Sequence, residues 1–310
     1  MRIAAVGEPL IQLNSVTRGP LRYVKYFEKH VAGSELNFLI AAMRNGADAS
    51  LIARVGDDEF GTEILEYARG LGIDVSAVKV VRSYTGFYFV QRGYPVPGRS
   101  ELIYHRTGSA GSSISPSDVE RSVVSSAELF HTTGITAALS ESALAAVRRG
   151  FQIAKKISFD TNIRLRLWSA ETARSEIMGL LAQTDVDYLI TDPDDSQVLI
   201  GERDPHTACS RFRKLGVRVL VYKVGSRGAY AFAEGEQRFQ RGYRVSVEDP
   251  TGAGDALAGT FVSLHMNGRA LDYALTHAVA ASALVVTVRG DNEIIPTEAD
   301  AKKAIDGLKG

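Results

Sequence analysis

Strand-like apolar runs alternate with helix-patterned segments along most of the chain, and this alternation restricts the fold more than any other feature. Residues 3–6 read as an opening strand. Leu36, Leu39, Ile40 and Met43 then recur at helical spacing, Gly46 supplies a stop, and SLIARV follows as a strand. Phe60, Ile64, Ala68 and Leu71 mark a second helix entered through Asp57 and Asp58, and Ser115-Pro116 opens another with a cap and a first-turn proline. ELFHT, ISFD, DYLIT and VRVLVYKV continue the series. A parallel strand pair needs a long crossover, which a helix supplies, so the pattern predicts an α/β core with a largely parallel sheet covered on both faces.

Residues 85–111 break the alternation, with two strand-like runs around a Gly/Pro-rich turn. This segment reads as a hairpin on which Tyr104 and Arg106 share one face, as do Tyr88 and Val90 on the other arm. Periodicity leaves two uses open: a lid over the core, or an exposed hairpin with a solvated basic edge.

Lysine plus arginine (36) equals aspartate plus glutamate (36), which removes the charge footprint of a protein that binds nucleic acid or an anionic membrane. A small-molecule partner is expected. The single cysteine, Cys209, has no internal disulfide partner, and MRIAAVGEPLIQL lacks the pattern of a secretory signal. No apolar run reaches the roughly 20 residues of a membrane helix. The expectation is therefore a soluble, cytoplasmic protein without membrane contact.

DPTGAGD (residues 249–255) places two glycines and an acid between the strand-like YRVSV and a helical ALAGTF. Free amides and the positive end of the helix dipole make such a start a site for anions, and missing Cβ atoms let an anion come close. The stretch lacks the G-K-[ST] of a P-loop and does not complete G-x-G-x-x-G. Asp255 is the informative residue, because a carboxylate beside a phosphate costs electrostatic energy unless it acts on a neighbouring group. In phosphoryl transfer a carboxylate orients the attacking hydroxyl and accepts its proton. The competing account is that Asp255 stabilises its helix start and the glycines permit a tight turn.

DPTGAGDALAGTF resembles the signature of the ribokinase (PfkB) family of carbohydrate kinases, and VAGSELNFLIAAMRNG with ARVGDDEFG resembles its N-terminal signature. The resemblance spans essentially the whole chain. It implies one domain over residues 1–310 with a ribokinase-like three-layer αβα core, a mainly parallel sheet, and a small β-sheet lid from about residues 8–30 and 84–110. It further implies ATP, Mg2+ and transfer of the γ-phosphoryl group to a terminal sugar hydroxyl. On this footing Asp255 is the base, and Gly252, Ala253 and Gly254 form the anion hole. KVGSRG resembles the family's nucleotide motif, which assigns Lys223, Gly225, Ser226 and Gly228 to ATP. Gly33, Ser34 and Asn37 fall where the family contacts the sugar, with an ordinary helix cap by Ser34 as the alternative. Glu8 is read as a solvated loop acid, with a place near the same cleft as the alternative.

FEKHVAGSELN, YFVQRGYPVP, IYHRTGSAGS, FDTNIRLRLW, ITDPDDS and VRGDNE resemble a branch of the family whose acceptors are 2-keto-3-deoxy sugar acids. Such an acceptor carries a carboxylate, which suits arginine forks with tyrosine hydroxyls nearby. Tyr88, Tyr104, Arg106, Asn162 and Arg164 are the candidates, with Arg106 and Arg164 as the clamp; without the resemblance each arginine would read as a surface charge. Asp291 joins the set by analogy alone. The motif that reads N-x-x-E in many relatives appears here with Asp192 and Asp195, assigned to the metal ion, most plainly through water. His30, His131 and Cys209 have no metal-ligand spacing and read as structural. Lid strands offer edges for pairing between chains, so a homo-oligomer is expected. Another sugar kinase of the family and a non-catalytic sugar-acid sensor are the rival readings.

Overall fold

The computed structural model describes residues 1–308. The chain opens on β1 (Arg2–Val6), crosses to β2 (Leu10–Ser15) and β3 (Phe27–Ala32), and returns through α1 (Ser34–Arg44) to β4 (Asp48–Gly56). Helix α2 (Glu59–Gly70) leads to β5 (Val78–Val81), then β6 (Phe87–Arg92) and β7 (Ser100–His105) form the expected hairpin. The regular alternation resumes with α3 (Arg121–Ser126), β8 (Leu129–Thr133), α4 (Gly134–Ala138), α5 (Glu141–Ile153), β9 (Ile157–Asp160), α6 (Ala170–Gln183) and β10 (Tyr188–Thr191). After α7 (Pro193–Ile200) and α8 (Pro205–Arg213) come β11 (Val219–Lys223), β12 (Gly228–Ala233) and β13 (Glu236–Arg241). Three helices close the chain: α9 (Ala253–Met266), α10 (Leu271–Val285) and α11 (Glu298–Leu308).

Nine strands form one sheet in the order β13-β12-β11-β10-β9-β8-β1-β4-β5. Every pairing from β11 to β5 is parallel, and β12 and β13 add an antiparallel edge. Side chains of a strand alternate between faces, so each buried strand feeds two cores. Ile190 and Val221 pack with Leu39, Phe261 and Leu275 on one face; Leu189 and Leu220 pack with Val147, Ile177 and Phe212 on the other. Burial of each side chain of this size stabilises by roughly 1.5–3 kcal/mol relative to exposure.

The remaining strands form a separate sheet in the order β3-β2-β6-β7. It crosses the chain from the C-terminal end of β1 and is re-entered after β5, so its strands come from both sides of α1, β4 and α2.

Two local expectations need correction. Ser115-Pro116 does begin with a capping box, but the turn stops at Asp118 after a single 3-10 turn. The Asp118 carboxylate is held by Arg54 (2.8 Å) and Lys79 (2.9 Å) of the neighbouring strands, which fixes the chain there, and α3 starts afresh at Arg121. Residues 243–247, strand-like in composition, form no ladder and run as an extended approach to α9.

Candidate functional site

A cavity of about 1220 Å³ opens between the two sheets. Its floor is made where the parallel strands end: Glu8 after β1, Asn162 and Arg164 after β9, Asp192 after β10, and residues 223–228 at the end of β11. Loops at the carboxyl ends of strands gather around ligands in open α/β sheets for this topological reason. Leu10, Tyr88, Leu102, Tyr104 and Arg106 of the four-stranded sheet form the opposite wall.

Helix α9 points its N-terminus into this space. Gly252 is the N-cap with φ of 73°, a conformation that favours glycine, and a Cβ there would lie 1.9 Å from the Asp291 carbonyl oxygen. The first helical bond runs from Ala256 N–H to the Gly252 carbonyl. The amides just ahead of it therefore have no acceptor inside the helix and face the cavity end. Lys223 lies alongside: a Cβ added to Gly254 would be 3.4 Å from its Nζ. Lys223 Nζ is paired with Asp160 Oδ2 at 2.7 Å. Burial works against the ammonium, but the charge and hydrogen bond of Asp160 together with the Asp192 and Asp255 charges outweigh it and raise the Lys223 pKa, so the lysine stays cationic. Gly225 and Ser226 line the cavity on the same side. Gly228 also lines it, and its small size has a separate cause, since a Cβ would lie 1.9 Å from the Gln240 carbonyl on β13.

Asp255 is held in place by α1. Ser34 Oγ donates to Asp255 Oδ1 at 2.6 Å and Asn37 Nδ2 donates to Oδ2 at 3.0 Å. Asn162, in the left-handed region with φ of 32°, donates to Ser34 Oγ at 3.2 Å. Burial raises the Asp255 pKa to about 6 against these hydrogen bonds, with the Asp160 charge adding to the rise. The cap of α1 is Gly33, with φ of 135° and no side-chain cap bond, so the alternative that Ser34 is an ordinary helix cap does not hold.

Asp291 shares the Asn37 donor with Asp255; it is almost fully buried and accepts from Tyr88 (3.0 Å), Gln12 Nε2 (2.9 Å) and Asn37 Nδ2 (3.2 Å). Burial lifts its pKa to about 6. Burial, followed by the Asp291 charge, pushes the Tyr88 hydroxyl well above its ordinary range, so it acts as a neutral donor. The Tyr88 and Tyr104 rings lie 4.9 Å apart, with the Arg106 guanidinium 5.2 Å from the Tyr104 ring centre.

Glu8 overturns its sequence reading. It is 2% exposed, not solvated, and accepts from both the Arg106 guanidinium (Nε at 2.7 Å) and the Ser109 hydroxyl. The Arg106 charge is thus already balanced inside the protein. Arg164 differs: it is exposed to the cavity and makes no ion pair among the described residues. Arg166 turns away to the Leu102 carbonyl and Glu101.

Asp192 borders the cavity and caps α7, with Oδ1 accepting from the Asp194 and Asp195 amides at 2.9 Å each. Asp195 does not border it. Its Oδ2 accepts from Thr161 Oγ1 (2.6 Å) and Ile163 N–H (3.0 Å), so one of its two carboxylate oxygens is occupied within the fold. Asp160, which the sequence reading passed over, is a second buried acid that does not border the cavity either and is paired with Lys223. It is 1% exposed, and its Oδ1 has no hydrogen-bond partner. Among the described residues no cluster of three or more His, Cys, Asp or Glu forms a metal cage. A cavity-facing aspartate, Asp192, fits a hydrated Mg2+ that arrives with phosphates rather than a resident ion.

Glu35 was also missed. Fully buried below the first turn of α1, it accepts from Thr133 (2.7 Å) and Thr136 (2.6 Å), and burial raises its pKa to about 7. An acid ending the apolar strand ISFD was a readable signal for Asp160; a single acid in a helix's first turn was too common a pattern to single out Glu35.

Comparison with known proteins agrees with this geometry. The profile of the pfkB family carbohydrate kinases matches residues 1–298. A 2-dehydro-3-deoxygluconokinase of Thermoproteus tenax is 59% identical over 308 residues, covering 99% of this chain and 94% of the relative. A 2-dehydro-3-deoxygalactonokinase of Haloferax volcanii is 28% identical, covering 94% of this chain and 93% of its own. Among solved structures, a putative ribokinase II of Escherichia coli in complex with ATP and Mg2+ superposes with a TM-score of 0.91 at 26% identity, covering 99% of both chains. Among the described residues no helix is long and apolar enough to cross a membrane.

Proposed function

The chain belongs to the pfkB family of carbohydrate kinases, which use ATP, and from that premise we propose that it phosphorylates 2-keto-3-deoxygluconate (2-dehydro-3-deoxygluconate) at the terminal 6-hydroxyl. ATP is the donor, Mg2+ accompanies it, and the products are ADP and 2-keto-3-deoxy-6-phosphogluconate. The observation that carries the reaction is the meeting, at one helix start, of free amides, Lys223 and a carboxylate aimed by Ser34 and Asn37. The choice of acceptor rests on the Thermoproteus tenax relative.

In this reading the amides at Gly252, Ala253 and Gly254 stabilise charge on the γ-phosphoryl group as it moves, and Lys223 adds a fixed cation beside them. Asp255 aligns the 6-hydroxyl and takes its proton. With a pKa near 6 it is a stronger base than a free aspartate yet remains a carboxylate at neutral pH. Gly225, Ser226 and Gly228 border the rest of the nucleotide. When bound, Mg2+ neutralises phosphate charge, and Asp192, with Asp195 in the first turn of α7, is the acid that would hold it through water. At the other end, Arg164 takes the acceptor carboxylate with Tyr104 beside it. Tyr88, Asp291, Asn162 and Gly33 shape the acceptor pocket, and the Glu8–Arg106 pair forms its wall.

The galactonate epimer is a second acceptor in this scheme. It presents the same carboxylate and terminal hydroxyl, and the Haloferax volcanii relative bears the name of that activity. The four-stranded sheet serves as the lid of a single kinase unit. Its edge strands β3 and β7 suit pairing with a second copy, and the mass in solution by light scattering tests that. An ATP-dependent enzyme of this kind works in the cytoplasm.

The deciding experiment is coupled-assay turnover with ATP and magnesium across a panel of sugars and sugar acids. The keto-deoxy acids are expected to lead; a neutral sugar turned over more efficiently would replace this acceptor with another.

A further inference from the structure

The inward face of β2 carries Leu10, Gln12 and Asn14, and the two amides are fully buried where apolar residues would be the simpler choice. A buried amide destabilises the fold unless it is bonded, so its partners show what it is there to hold. Gln12 Nε2 lies 2.9 Å from the Tyr88 hydroxyl, 2.9 Å from Asp291 Oδ1 and 3.2 Å from Thr251 Oγ1. Asn14 Nδ2 donates to Gln12 Oε1 at 3.0 Å and to Asp249 Oδ2. Asp249 Oδ1 in turn accepts from the Thr251 amide (3.0 Å) and hydroxyl (2.6 Å). Thr251 is followed directly by Gly252, the cap whose conformation aims the α9 amides.

A continuous chain of buried and partly buried hydrogen bonds thus runs from the acceptor wall, through one strand of the small sheet, to the turn ahead of α9. We propose that Gln12 and Asn14 are positioning residues that tie the placement of the small sheet over the acceptor to the aim of the phosphate-binding amides. Neither touches a reacting atom. Both act through Thr251, Asp249 and Asp291, and the proposal rests on reading the cavity as a phosphoryl-transfer site.

The relay has one consequence that packing alone does not: acceptor binding should tighten ATP binding, and the variants should remove that link. The test measures ATP affinity by calorimetry with and without 2-keto-3-deoxygluconate, together with kcat and both KM values, for the wild type, Gln12→Met, Thr251→Val and Thr251→Ser. Gln12→Met keeps length and removes the donors. Thr251→Val removes the hydroxyl that Gln12 and Asp249 share, and Thr251→Ser restores it. The expected result is a loss of kcat of about 10- to 100-fold in Gln12→Met and Thr251→Val, with each KM within about threefold. The acceptor's effect on ATP affinity disappears with it, and Thr251→Ser stays near wild type. Should Gln12→Met not fold, the threonine pair decides the matter alone. Folded variants that keep kcat within about twofold and keep the acceptor's effect on ATP would overturn the relay. Failure of the acceptor assignment looks different: the wild type itself is inactive on 2-keto-3-deoxygluconate, and the same comparison is then run with whichever acceptor it does use.

Discussion

In the proposed reading, the phosphate end of the cavity offers backbone amides and one lysine to the ligand, and the acceptor end offers side chains drawn from β2, β6, β7 and the loops after β9 and before α11. The first end is built within a few residues, from Gly252 to Asp255, with Lys223 beside it. At the second end, Asp291 alone joins groups from Gln12, Asn37 and Tyr88. A site made of backbone needs glycine at fixed offsets, and any other residue at Gly252 would meet the Asp291 carbonyl. A site made of side chains needs only that the fold bring them together.

The largest effect expected from separating the two ends is in Asp255→Asn. The side chain keeps its size and its place by Ser34 and Asn37 but can no longer take a proton. Steady-state turnover should fall by about 10²- to 10⁴-fold, while calorimetry finds acceptor and ATP still bound. Unchanged turnover would remove Asp255 as the base. Arg164→Ala probes the other end: KM for the keto acid should rise about 10- to 100-fold, the loss of a charged hydrogen-bonding pair, with neutral sugars unaffected. Equal losses for acids and neutral sugars would show that Arg164 does not read the carboxylate.

A smaller effect comes from pH. The working form of Asp255 is the carboxylate, and burial places its pKa near 6 rather than in the ordinary aspartate range. Activity should therefore be full above that value and fall about tenfold per unit as pH drops below it. A kcat/KM profile flat down to pH 4.5 would contradict the assigned titration. The smallest expected effect is on stability. Glu35 binds its proton more tightly folded than unfolded, so what it contributes is present below its ordinary pKa of 4.5 and lost as pH rises through about 7. Glu35→Gln, which can still accept from Thr133 and Thr136, should stabilise the fold at pH 8 by on the order of 3 kcal/mol. The gain should vanish near pH 4, and melting curves at the two pH values check this; equal shifts at both would rule out the buried charge as the cause.

The same contrast explains what could be read in the sequence. The α/β core followed from periodicity, because each buried strand and its covering helix carry their own local signal, as in ISFD and DYLIT. The phosphate end followed from GAGD, whose chemistry lies in adjacent residues. Glu8 was misread because an acid beside Pro9 looks like a loop acid until Arg106, 98 positions later, is seen to bind it. Asp195 is hard to read for the same reason: the partners of its Oδ2, Thr161 and Ile163, lie on another strand end. Gln12 and Asn14 sit in LIQLNS, whose polar residues would read as a solvated strand face, and only the second sheet's position over the cavity turns that face inward. Residues 243–247 show the reverse error, strand-like composition in a segment that pairs with no strand.

The most direct test of the central claim is the structure of the protein with 2-keto-3-deoxygluconate and a non-hydrolysable ATP analogue. The 6-hydroxyl should lie within about 3 Å of an Asp255 oxygen, with the γ-phosphate against the amides at Gly252, Ala253 and Gly254. An acceptor whose hydroxyl points away from Asp255, with no anion at those amides, would contradict it.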